Sequence, residues 1–251
     1  MAWYYLDYYR CELYRDRFMT KLAKSKKEKP IVLSLGGSIL VQENINIAFL
    51  KRFRKFILSQ LKKGRSFIIV CGGGLSARKY MQAAKMLCHT SQINYDHVGL
   101  CATELNAALV HFLLSECCYK EIYTDYTKKI DFKNVMIGSG FHKGTSTDYA
   151  AVSFAHLYGS SAVYNLTNVD SIYTKDPRKF KDALPLKDLS WFQYKRMIGS
   201  EWHSGMHIPF DPLASSLASR LKLAVYVLNG LDLNNFGACL DGKKFKGSII
   251  Y

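Results

Sequence analysis

The sequence of 251 residues predicts an α/β fold with a mainly parallel central sheet. Three observations carry this expectation. Short apolar runs recur along the chain, and several end directly in glycines. Between them lie longer stretches with apolar residues at helical spacing. Apolar residues make up 49% of the chain, enough for a sizeable buried core.

The elements follow in order. Residues 1–30 stand apart, with many tyrosines and then the charged run KLAKSKKEKP, and read as a basic, aromatic extension on the surface. After Pro30, IVLSL (31–35) runs straight into GGS, the pattern of a buried strand entering a tight loop. Residues 46–62 place Ile47, Phe49, Leu50, Phe53, Ile57, Leu58 and Leu61 at helical spacing. SFIIVC (66–71) is a second strand, ended by GGG. Residues 76–88 and 97–116 read as helices, VMIG (135–138) as a strand and 147–158 as a helix. Residues 161–170 begin as a strand and end in polar loop residues. Residues 213–221 read as helix, 224–230 as strand and 247–251 as a terminal strand. This alternation favours parallel pairing through right-handed crossovers.

Lys plus Arg outnumber Asp plus Glu by 35 to 20, a net charge of +15. Such a charge suits polyanions, whether nucleotides, phosphate esters, nucleic acid or acidic lipid. The seven cysteines form no C-x-x-C pair and no Cys/His zinc spacing, and they read as reduced thiols. The amino terminus lacks the uncharged apolar core of a signal peptide, and the apolar stretch 105–114 is too short to span a bilayer. The expectation is a soluble, cytoplasmic protein.

Three glycine-rich loops each follow a predicted strand: Gly36-Gly37-Ser38, Gly72-Gly73-Gly74 and residues 139–147. Open α/β sheets bind ligands beyond the carboxyl ends of their strands. Glycines let backbone N–H groups approach phosphate oxygens, and the helices that follow turn their positive ends to the anion. No loop matches G-x-x-x-x-G-K-S/T, and GGGLSA does not match G-x-G-x-x-G, which disfavours P-loop and nicotinamide enzymes.

Arg78, about one turn into the helix after Gly74, either reaches back to a phosphate or stands solvated. Asp148 starts a helix, and either stabilises that terminus or organises the reacting groups or Mg²⁺ between two phosphates. The segment from Thr167 to Asp176 is a turn-rich loop in which Tyr173 can stack on a purine and Asp176 can accept from a ribose hydroxyl. His142, His203 and His207 read as ordinary loop histidines. The absence of any RNP-like motif or zinc finger leaves nucleic-acid binding a minor reading.

The blocks LSLGGSIL, IIVCGGGLSARKYM, YDHVGLCATELNAAL, GFHKGTSTDYAAV, LTNVDSIYTKDP and DPLASSLASRL occur in this order. Together they resemble the amino acid kinase superfamily over about residues 31–251, and within it the archaeal-type uridylate kinases. The resemblance implies a three-layer α/β/α sandwich, a homohexamer, and the reaction ATP + UMP → ADP + UDP with Mg²⁺. It implies that the domain spanning 31–251 binds the acceptor with its N-terminal part and ATP with its C-terminal part. ATP would lie against Gly37, Ser38, Gly74, Arg78, Thr167, Asn168, Tyr173 and Asp176. UMP would lie against Gly73, Asp96, Phe141, His142, Lys143, Gly144, Thr145, Ser146 and Thr147, with Asp148 as the organising carboxylate.

The chain also departs from the pattern. Ser34 stands where many members of the superfamily carry a first-strand lysine, Phe141 and Lys143 alter the acceptor loop, and Ser171 replaces a common glycine. Two alternatives stand beside this reading, the second of them prompted by Ser34 and the altered acceptor loop. One is another kinase of the superfamily, such as isopentenyl phosphate kinase, against which the missing lysine argues. The other is a non-catalytic paralogue that binds nucleotides.

Overall fold

The computed structural model describes residues 29–87, 92–140, 144–177, 179–199 and 209–251. The expected extension up to residue 28, and Cys11, Cys88, Phe141, His142, Lys143, His203 and His207, lie outside the described residues.

In chain order the strands are β1 (Ile31–Leu35), β2 (Phe67–Cys71), β3 (Val135–Gly138), β4 (Ala162–Thr167), β5 (Ile172–Tyr173), β6 (Pro185–Leu186), β7 (Asp188–Leu189), β8 (Ala224–Asn229) and β9 (Ser248–Ile250). Seven of them form one sheet in the order β3-β2-β1-β4-β8-β9-β7, while β5 and β6 pair separately. The run from β3 to β8 is parallel throughout. The terminal strand β9 is antiparallel to β8, which makes the sheet mixed at one edge. In the parallel run β2 lies on one side of β1 and β4 on the other, so connections leave in opposite directions and a crevice opens at their carboxyl ends.

The helices are α1 (Gly37–Leu40), α2 (Ile47–Lys62), α3 (Gly74–Leu87), α4 (Gln92–Leu113), α5 (Thr147–Tyr158), α6 (Trp191–Ile198), α7 (Pro212–Leu221) and α8 (Leu233–Leu240). They cover both faces. Leu33, Leu35, Phe67 and Ile69 point to one face and pack with Phe53 and Ile57 of α2, Val110 of α4 and Phe236 of α8. Val32, Ile68, Val70 and Val163 point to the other and pack with Phe154 of α5, Tyr194 of α6 and Ala214 of α7. The three-layer α/β/α sandwich is therefore present, with both faces of the parallel run buried.

Every expected element is found, with small shifts at the ends. The largest shift is at α4, which begins five residues before the expected start at 97 and ends three before the expected end at 116. Between β4 and α7, where a turn-rich loop is expected as far as Asp176 and nothing is assigned beyond it, the structure holds β5, β6, β7 and the capped helix α6. Ser190 accepts from Gln193 N at 3.2 Å while Gln193 Oε1 accepts from Ser190 N at 2.8 Å, a reciprocal capping box. Helix α8 follows the same rule, with Asp232 accepting from Asn235 N at 2.9 Å.

Candidate functional site

In the parallel run, buried on both faces, polar side chains are out of place. Ser34 in β1 and Asn165 in β4 break the apolar pattern, sit opposite each other in register, and are 2% and 3% exposed. Both belong to the face covered by α5. Ser34 Oγ donates to Asp148 Oδ1 at 2.6 Å, and Asn165 Nδ2 donates to the carbonyl of Pro209. The two interruptions thus mark the floor of a cleft.

That cleft has a volume of about 260 Å³ and lies at the carboxyl ends of β1, β2, β3 and β4. Two glycine loops form one wall, pressed together backbone to backbone. A Cβ on Gly37 would stand 2.0 Å from the amide nitrogen of Gly74, and one on Gly74 would stand 2.3 Å from the carbonyl oxygen of Gly37. Gly74 also has φ +64°, where a side chain is strained. Asn106 of α4 holds the second loop by donating to the Gly72 carbonyl at 2.8 Å.

Two helix N-termini form the opposite wall. Ser146 caps α5 by accepting from Tyr149 N at 3.1 Å. Asp211 caps α7 by accepting from Leu213 N at 2.8 Å and Ala214 N at 2.9 Å, with Pro212 as the first helical residue. The Ser146 hydroxyl donates to Asp211, so the two caps are joined. Tyr194, fully buried, donates to the Phe210 carbonyl at 2.8 Å and accepts from Phe210 N at 2.9 Å, which fixes the residue before Asp211.

Asp148 and Asp211 are therefore neighbouring carboxylates at the cleft floor. Asp148 is half-buried and lines the cleft. Burial first, and the charge of Asp211 second, push its pKa up to about 7, while the Ser34 hydroxyl pulls it down. Asp211 is also raised by burial, opposed by the Ser146 hydroxyl and the two helix amides. Among the described residues Arg78 is the only lysine or arginine lining the cleft. Partial burial lowers its pKa from the usual arginine value.

Among the described residues the expected site residues Gly37, Ser38, Gly73, Gly74, Arg78, Asp96, Thr145, Ser146, Thr147, Asp148 and Thr167 all line this one cleft. Gly144, Asn168, Tyr173 and Asp176 do not line it. Tyr173 lies in the small sheet, opposite Pro185. Sequence reasoning missed Asp211, Asn165 and Thr103 as lining residues. Asp211 had a readable signal, since Asp-Pro before a helical run is a strong helix start. Asn165 had a weaker one, as an amide inside an apolar strand.

This arrangement can hold two anions close together. Backbone amides of the glycine loops and the N-termini of α5 and α7 face the cleft, and one guanidinium flanks it. No group of three or more His, Cys, Asp and Glu residues forms a metal cage among the described residues. The donors at the floor are all oxygen, from two carboxylates and two serines, which fits Mg²⁺ carried in with phosphates and water rather than a preformed cage.

A family model described as the amino acid kinase family matches residues 29–229. The uridylate kinase of Sulfurisphaera tokodaii is 33% identical over 226 residues, covering 88% of this chain and 98% of that protein. That of Pyrococcus abyssi is 30% identical over 217 residues, covering 85% and 96%. Among solved structures, uridylate kinase from Archaeoglobus fulgidus superposes with a TM-score of 0.72 at 29% identity, covering 88% of this chain and all of that one. UMP kinase from Bacillus anthracis superposes with a TM-score of 0.71 at 21% identity, which speaks to the fold alone.

Proposed function

The chain belongs to the amino acid kinase family, and on that premise we propose that it is a UMP kinase, transferring the γ-phosphoryl group of ATP to UMP to give ADP and UDP in pyrimidine nucleotide synthesis. The observation that carries this reading is the match to uridylate kinases along nearly their whole length, joined to a cleft walled by glycine-rich loops.

UMP lies against Gly73, Asp96 and Thr145, Ser146 and Thr147, with Gly144 and, next to it in sequence, Phe141, His142 and Lys143 beyond. ATP lies against Gly37, Ser38, Gly74, Arg78 and Thr167, with Asn168, Tyr173 and Asp176 beyond. An oxygen of the UMP phosphate forms the new bond to the γ-phosphorus as the bond to the β,γ-bridging oxygen breaks, and ADP leaves with that electron pair. The protein's work is positioning and charge stabilisation rather than covalent chemistry. Gly37 and Gly74 bring backbone amides close to the transferring group, and Arg78 adds a fixed charge. Asp148, oriented by Ser34 and backed by Asp211, holds the reacting groups in line. Mg²⁺ bound with ATP would be held by Asp148 and Asp211 and would supply neutralisation of the phosphate charge.

Two further statements belong to this reading. The protein works as a homo-oligomer, which is supported by the exposed apolar side chains Tyr80, Met86 and Leu87 on α3 and Leu105 and Phe112 on α4. It works in the cytoplasm. The five described cysteines are all free thiols, and among the described residues no helix is long and apolar enough to cross a membrane.

The test is ADP formation by the purified protein with Mg-ATP and a panel of acceptors: UMP, CMP, AMP, GMP and isopentenyl phosphate. Selective turnover with UMP is expected. Selective turnover with another acceptor would reassign the substrate, and no turnover from folded, ATP-binding protein would make the chain a non-catalytic nucleotide binder.

A further inference from the structure

Thr167, the last residue of β4, lines the cleft, and the loop that follows runs through Asp170 to Tyr173 in β5. It is tied down from two directions. The backbone N–H of Gly230, just after β8, donates to the Thr167 carbonyl at 2.8 Å. Asn229, the last residue of β8, donates from Nδ2 to Asp170 Oδ1 at 2.8 Å. The other carboxylate oxygen, Oδ2, takes the ammonium of Lys246 at 2.7 Å.

Lys246 comes from far away in sequence, on the segment that leads into β9. Its backbone is clamped at both ends by one side chain of α8. Asn235 Nδ2 donates to the Lys246 carbonyl at 2.7 Å, and Asn235 Oδ1 accepts from Lys246 N at 2.7 Å. Two residues on, Ser248 Oγ accepts from the backbone N–H of Ile172 at 2.8 Å, a second tie between the same segment and the same loop. The pair behaves as an ion pair should. Lys246 and Asn229 hold the Asp170 carboxyl below the usual range, and Asp170 raises the Lys246 ammonium, with Asp232 adding negative potential.

We infer that Lys246 is a positioning residue for the donor nucleotide: through Asp170 it fixes the loop from Thr167 to Tyr173, so that the carboxyl-terminal segment of the chain sets the affinity for ATP. The inference rests on the kinase reading above, which places ATP beside Thr167 and Tyr173. Lys246 itself is not among the residues that line the cleft. Its side chain is 71% exposed. The effect is therefore modest and sensitive to salt, as for other exposed ion pairs.

The experiment compares Lys246→Met, Lys246→Arg, Asp170→Ala and the double variant Lys246→Met/Asp170→Ala. Steady-state kinetics vary ATP and the acceptor separately. Lys246→Met is expected to raise KM for ATP about threefold to fivefold, the size an exposed ion pair supports. KM for UMP and kcat should stay within about twofold of the parent. Lys246→Arg should restore the ATP value, and the double variant should be no worse than Asp170→Ala, since the two residues act as one unit. An unchanged KM for ATP overturns the inference. So does a parallel shift of kcat and both KM values together with a lower Tm, which marks general destabilisation. If the parent protein turns over a different acceptor, the same comparison is run with that acceptor. If it turns over none, calorimetric titration with ATP replaces KM, so failure of the kinase reading stays distinct from failure of this one.

Discussion

Asp148 and Asp211 concentrate the electrostatics of the site. Each is a carboxylate taken from water, and each receives one serine hydroxyl in place of a cation. At the position of Ser34 a lysine ammonium would neutralise Asp148, whereas a hydroxyl only bonds it. Asp148 titrates near 3.8 in an unfolded chain and at about 7 here. Between those values the folded protein holds a proton that the unfolded chain has released. This site therefore lowers stability as pH rises from about 4 to about 7, and no further above that. Asp148→Asn should raise the Tm of the metal-free protein more at about pH 8 than at about pH 4.5, read by thermal unfolding. The same variant should lose turnover by about 100-fold or more, the scale of a missing transition-state contact. ATP binding by calorimetry should be largely kept. Near-normal turnover would remove Asp148 from the mechanism.

Helix starts do two jobs. The caps of α5 and α7 end their helices and also line the cleft, so a single side chain serves both folding and chemistry. Two variants separate these roles for Asp211. Asparagine still accepts from the amides of Leu213 and Ala214, and its amide group can donate to Ser146, so the helix start survives without the charge. Alanine removes cap and charge together. Asp211→Ala should lower stability by about 1 kcal/mol or more through the lost cap, while Asp211→Asn should keep or raise it. Both should reduce kcat. Equal stability of the two variants in denaturant unfolding would show that the cap contributes nothing. The elements missed from sequence teach the same lesson. Helix α6 has only eight residues, so its period has little room to register, yet Ser190 and Gln193 announce its start. Strands β5, β6 and β7 have two residues each, too short for any periodicity to register.

At the scale of the molecule, the net charge of +15 is not gathered in the cleft, where Arg78 is the sole described lysine or arginine. The groups there that can bind an anion are backbone amides and helix ends beside that one guanidinium. The exposed apolar side chains sit instead on α3 and α4. Leu105 and Phe112 are 68% and 79% exposed, seven residues apart on one helix and so on one face. A face of this kind is expected to be covered by another copy of the chain. Leu105→Glu and Phe112→Glu should each shift the protein toward smaller species in light scattering after size exclusion, with secondary structure retained. An unchanged mass would place the subunit contact elsewhere.

The sequence by itself determined the class of fold, the three glycine loops, and most of the residues that meet in the cleft. Those signals are local. A buried parallel strand is a short apolar run, a helix has a period, and a phosphate loop needs glycine wherever it occurs. The tertiary structure alone decided which distant groups touch. Nothing within β1 says that Ser34 will meet Asp148, more than one hundred residues later, or that Ser146 will bond Asp211. Nothing near Lys246 points to Asp170. Register across the sheet and the packing of α5 and α7 on one face bring these side chains together. That information lies in long-range pairing, which no local pattern encodes.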